Sequence, residues 1–335
     1  IPLLHVSLYV TVISVVLLIV NKLWFDFGFP IPRALNSPIL VETLVAIVLI
    51  AVLAIWLYVA FLKPPRFSSR NAVRFAQQVF RGIAGGNEKE LSAVVYEVGR
   101  SAPELIAIAR ERVKQRDFTD GGIISVRSEK AQIANEILLL LGDRRFCRYA
   151  AKQAPWTVAG LFREVGKERL GDLQFAQFAR NVSSELLADP DTAVHHEDEW
   201  FRSGLIGHLK PVSASVFGNS DLIEALASQA GSPLDPLWQD QRAWEPRSWD
   251  TYNRVVLLYL SDRLKKQHGI HATTALHQIF HGYEHIASDA YRINEMPDTY
   301  RQSIEFIRIR KAVEFLNEAV ELLEKTGISA PRKAY

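Results

Sequence analysis

The chain has 335 residues, 48% hydrophobic and 23% charged, which excludes a wholly disordered protein. Its net charge of +2 excludes a globally basic nucleic-acid binder and leaves room only for local basic patches. A single cysteine, Cys147, excludes an intramolecular disulfide framework and a cysteine-based zinc site.

Charge is distributed unevenly. Residues 1–62 hold four formal charges, Lys22, Asp26, Arg33 and Glu42, while the rest of the chain holds nearly all of the 39 basic and 37 acidic side chains. The runs 1–20 and 43–62 are free of formal charge. Twenty helical residues reach about 30 Å, the thickness of a bilayer's hydrocarbon core. The expectation is a transmembrane hairpin over 1–62, with spans at about 1–20 and 43–62 and an outer connector at 21–42. After the second run come Lys63, Arg66, Arg70 and Arg74 with no acid among them. Basic residues beside a span favour the cytoplasmic side and anionic lipid. The stretch 63–86 therefore reads as a basic juxtamembrane helix or linker. Both termini are expected in the cytoplasm of an integral membrane protein, with the bacterial inner membrane as the assigned location. Ser7, Thr11 and Ser14 recur on one face of the first run. Thr43, Ala46, Ile50 and Ala54 share a face of the second. Such faces serve helix packing or line a weakly polar pore.

From residue 87 the dominant period is helical, which predicts an all-α cytoplasmic domain over 87–335. Asn87 to Glu90 and Ser101 to Glu104 have the form of capping boxes, and Ser128 opens a further helix. Helices are expected near 144–153, 156–168, 171–188, 220–229 and 272–292. Residues 194–250 form an irregular insertion rich in proline and tryptophan, with Trp238, Trp244 and Trp249 expected to plug a core or an interface. In the last helix Phe306, Ile309, Val313, Leu316, Val320 and Leu323 follow coiled-coil spacing. Additional apolar residues, Ile307, Ala312, Phe315 and Ala319, widen that stripe and favour a core helix.

Two clusters hold residues suited to chemistry. His195, His196, Glu197, Asp198 and Glu199, followed by His208 and Lys210, form a polar loop suited to a partner or ligand, or to a solvated surface. His277, His281 and His285 recur every four residues, and His281-Gly-Tyr-Glu284-His285 has the H-x-x-E-H order. Over those five residues the chain resembles the inverted zinc metallopeptidases of the insulysin and pitrilysin family. The resemblance implies imidazole ligands for a divalent metal, with Glu284 activating water. No phosphate loop, dinucleotide fingerprint or serine elbow is present, and no small-molecule cofactor is expected beyond that metal.

The leading expectation is a non-enzymatic, membrane-anchored effector or signalling protein. Its cytoplasmic domain would bind a partner, such as a regulatory protein or a nucleic-acid-containing assembly, and act on the spans through homo-oligomerisation. That layout is similar to two-span membrane effectors of bacterial anti-phage systems, which implies pore formation. A membrane-tethered metal-dependent hydrolase and a passive membrane scaffold are the alternatives.

Overall fold

A computed structural model describes residues 2–27, 38–58, 66–116, 123–197, 210–236, 238–266, 273–288, 293 and 298–325. The chain divides into two compact units, Ile1–Arg66 and Phe67–Tyr335. It is mainly helical.

The first unit is a pair of helices, α1 (Pro2–Asp26) and α2 (Pro38–Leu57). The helices extend into the stretch 21–42 expected as a connector, since α1 runs on to Asp26 and proline suits the first turn where α2 begins. Among the described residues, no helix is both long and apolar enough to cross a membrane. Ser14 and Val45 are buried, and Val10, Leu18, Leu49 and Val52 are half-buried along the same two stripes. The helices therefore meet on branched and aliphatic side chains at spacings of three and four. The face of Thr43, Ala46, Ile50 and Ala54 points outward, so the small residues of α2 are not what pack the pair.

The second unit begins at Phe67, inside the basic stretch 63–86 expected as a juxtamembrane helix or linker. Phe67 is buried, and its amide donates to Ser101 Oγ at 2.9 Å. Helix α3 (Ala72–Gly85) then buries Ala72, Phe75, Val79 and Ile83 in the core. Helix α4 (Glu88–Ala109) starts where Asn87 Oδ1 accepts the Lys89 amide. It runs straight through the expected second start at Ser101. Ser101 is buried and partners Phe67 instead of capping, and Pro103 sits inside the helix. A proline there forfeits one helical hydrogen bond. The buried run Val98, Ala102, Leu105, Ile106 and Ala109 supplies the compensation.

An antiparallel ribbon follows, β1 (Arg112–Arg116) and β2 (Ile123–Arg127), with Arg112 opposite Arg127 and Arg116 opposite Ile123. The ribbon is a small addition to a unit that is otherwise helical among the described residues, as the all-α expectation has it. Asp172 draws the open end of the ribbon to the body through Arg112 at 2.8 Å and Arg127 at 3.0 Å, which holds its carboxyl below the usual range.

Helices α5 (Glu129–Leu140), α6 (Arg144–Gln153), α7 (Pro155–Gly166) and α8 (Ala176–Ala188) match the expected order. Ser128 Oγ caps α5 through the Ala131 amide, and Asp143 caps α6 through the Arg145 and Phe146 amides. Phe162, Phe175 and Phe178 interlock at 5.1 to 6.2 Å between ring centroids. Burying one such ring contributes about 1.5–3 kcal/mol.

The irregular insertion contains helices α9 (Pro211–Phe217) and α10 (Ser220–Ser228), and its last prolines lead into α11 (Pro246–Lys265). Helices α12 (Thr274–Ser288) and α13 (Ile304–Lys325) complete the unit. Trp244 and Trp249 are buried and meet at 5.2 Å, with Tyr252, Tyr283 and Phe315 continuing the aromatic cluster. Tyr252 donates to the Leu234 carbonyl at 3.0 Å and so ties the chain before α11 to the helices. These tryptophans are core plugs. The Trp238 side chain lies outside the described ones.

Candidate functional site

The first residues of the polar run, 195–197, enter the interior of the second unit. His195 is only 3% exposed. Its Nε2 lies 3.1 Å from the Leu187 carbonyl and its Nδ1 lies 2.9 Å from Thr251 Oγ1. A carbonyl only accepts, so Nε2 carries the proton and Nδ1 accepts from the hydroxyl. Burial, together with the nearby Arg247, Arg254 and His196, pushes its pKa down to about 4. His195 is a neutral imidazole that crosslinks the end of α8 to α11.

Glu197 is fully buried. Its Oε1 accepts the Val212 amide at 2.7 Å and its Oε2 accepts the Ser213 amide at 3.0 Å. These are first-turn donors of α9, which have no helical acceptor of their own. Pro211 has no N–H to offer, and Lys210 before it adopts a left-handed φ of 35°. Glu197 therefore caps α9 from fifteen residues upstream of Val212. Burial lowers the pKa of the nearby Arg254, the Glu197 charge counters that shift, and Arg254 donates to the Val194 carbonyl at 2.6 Å. Arg247 reaches His196 Nδ1 at 3.4 Å. Asp198, Glu199 and His208 lie outside the described residues. The run thus joins His195, His196, Glu197 and Lys210 in one structural clasp, and the first and third are sealed from solvent.

The histidine helix has the opposite character. On α12, His281 and His285 approach with Nε2 atoms 3.2 Å apart, and His281 Nδ1 faces Glu284 Oε2 at 3.4 Å. His281 and Glu284 are largely exposed. His277 stacks parallel to His281 with centroids 6.4 Å apart, outside the closer pair. Two converging imidazoles, one oriented by a carboxylate, form half of a catalytic metal site. Among the described residues no group of three or more such side chains is placed to hold a metal ion. Asp235, whose carboxyl feels the His281 charge, is held by Arg180 at 3.5 Å. The described residues do not complete the hydrolase site that the H-x-x-E-H order implies. We expect the purified chain to retain no stoichiometric zinc through size exclusion. One retained equivalent, lost in His281→Ala, would restore the metal reading.

In the first unit Ser14 is buried between the helices while Thr11 is exposed, so the expected hydroxyl stripe is split. The Ser7 side chain and Lys63 lie outside what is described. Thr11 joins Leu49, Val52, Leu53 and Trp56 around an open groove of about 330 Å³. Arg66, Arg70 and Arg74 are all exposed.

Sequence reasoning missed a further network. The Glu224 carboxylate accepts from Tyr259, from Arg263 at 3.1 Å and from Thr273 at 2.6 Å, fastening α10 to α11 and α12. Burial and that carboxylate push the Tyr259 hydroxyl pKa up. No local signal marks this set, because its members lie 35 to 49 residues from Glu224. No family model, curated protein or solved structure matches this chain.

Proposed function

We propose that this chain is a membrane-anchored helical effector or signalling protein, with the second unit as the receiving domain and the first as the anchor. The observation that carries the reading is the exposure of apolar side chains on the first unit. Val12, Ile13, Leu17, Ile19, Leu44, Ile47, Ile50 and Leu53 all stand out from a helix pair, although such residues are ordinarily a soluble domain's core. Water penalises that surface, and lipid does not. No described helix is both long and apolar enough for a span, yet the charge-free runs 1–20 and 43–62 that overlap the two helices are each twenty residues long. The exposed Arg66, Arg70 and Arg74 suit anionic lipid head groups. The outward small-residue face of α2 suits close approach by another copy's helix.

The test is extraction of native membranes with alkaline carbonate, followed by vesicle reconstitution. The anchor reading expects the chain to stay in the pellet. It also expects release on Ile50→Arg, since a central arginine costs about 2.5–3.5 kcal/mol on insertion. Release of the unmodified chain overturns it. The effector reading expects ion flux from reconstituted vesicles that Thr11→Leu abolishes. An anchored chain with no flux overturns that reading and leaves a scaffold.

A further inference from the structure

Helix α13 carries two separate apolar faces. One faces inward, with Phe315 stacked on Tyr283 at 4.7 Å and Ile309, Ala312 and Ala319 packed against the core. Lys311 secures it to α11 through Asp250 at 2.6 Å, and Asn253 donates to the Lys311 carbonyl at 2.8 Å. The second face lies about a quarter turn around the helix. There Val313, Leu316 and Val320 are 51%, 54% and 55% exposed. These three form the middle of the coiled-coil seam, so that part of the seam does not build the core. Core packing is supplied by Ala312, Phe315 and Ala319, which widened the stripe, together with Ile309 nearer the helix start.

We propose that this seam pairs antiparallel with the α13 seam of a second copy of the chain. Three observations support that occupant. The 3-4 spacing of Val313, Leu316 and Val320 is the pattern by which one helix packs against another of its kind. A two-fold contact requires a self-complementary surface. Arg310, Asn317 and Glu324 provide one along the outer flank of the seam, because Arg310 and Glu324 are each seven residues from Asn317. Two helices crossing head to tail near Asn317 place each Arg310 beside the partner's Glu324. Finally, the inner flank is occupied by the chain's own core through Ala312 and Ala319. A parallel pair would press each outer flank against that occupied side. A contact this short falls below the roughly 800 Å² per partner of a stable interface. It is therefore weak in dilute solution and gains from confinement of the chains on one surface. The contact would be the means of oligomerisation in the reading above, yet its geometry does not require the anchor.

The test uses full-length chains carrying Arg310→Cys or Glu324→Cys, distinguished by mass tags, mixed and treated with a short bifunctional thiol reagent. Native Cys147 is buried, with its thiol pKa raised by that burial, and stays silent. The expected product is the mixed dimer linking position 310 to position 324, lost when Leu316→Glu is added. Unchanged thermal midpoints verify that these exposed substitutions leave the fold intact. Monomers alone, or like-with-like dimers alone, overturn the pairing. A chain that resists carbonate extraction yet gives no mixed dimer refutes this contact and leaves the anchor standing, and the converse result does the reverse.

Discussion

Glu197→Ala is expected to lower the stability of the second unit by about 3–5 kcal/mol. That is the range for removing one partner of a buried, charge-assisted arrangement. The substitution takes both acceptors from the Val212 and Ser213 amides at once. It also removes the nearest compensating charge for Arg254, whose guanidinium is already penalised by burial. In a unit of this size the thermal midpoint should fall by about 10 °C. Glu197→Gln should lose less, because the amide retains one acceptor for α9. A midpoint within about two degrees of the parent for Glu197→Ala, measured by calorimetry, would refute the clasp.

Acid should then unfold the chain through His195. An unfolded histidine has a pKa near 6.5, and here burial holds it at about 4. The unfolded state thus binds more protons between those values, and stability falls as pH drops through that window. The full effect is about 3 kcal/mol. It is complete near pH 4, at the upper edge of the range where the lowered carboxyls of Asp172, Asp189 and Asp262 lose their own contributions. Asp235, raised by burial, works in the opposite sense and offsets part of the loss. Denaturant melts at pH 7, 6, 5 and 4.5 give the slope directly. His195→Gln should flatten it. An unchanged slope in that variant would assign the acid sensitivity elsewhere.

These effects come from residues whose identity is plain in the sequence and whose role is not. Helix starts were legible because caps are local: Asn87 and Ser128 act within three residues of themselves. The Ser101 box failed for the same reason. Its local pattern was sound, but the Ser101 hydroxyl is taken by Phe67, 34 residues away. The ribbon escaped because five-residue strands are too short to establish a period, leaving Gly121-Gly122 as the only marker. The run at 195–199 reads from sequence as a partner or ligand loop or a solvated surface, because charge usually means solvent. Its partners, Leu187, Thr251, Val212 and Ser213, lie 8 to 56 residues away, and no spacing rule connects them. In α13 the wide stripe was recognised but its halves were not separated, since periodicity reports which residues share a side and not which neighbour each will meet.

The clasp at Glu197 makes one short helix depend on a distant part of the chain. Helix α9 has seven residues, fewer than an isolated helix needs to persist in water. Two of its first-turn amides find their acceptors on a side chain fifteen and sixteen residues away, so the helix forms only as the fold closes around position 197. Hydrogen exchange at the Val212 and Ser213 amides should therefore report the opening of the whole unit rather than the fraying of one helix end.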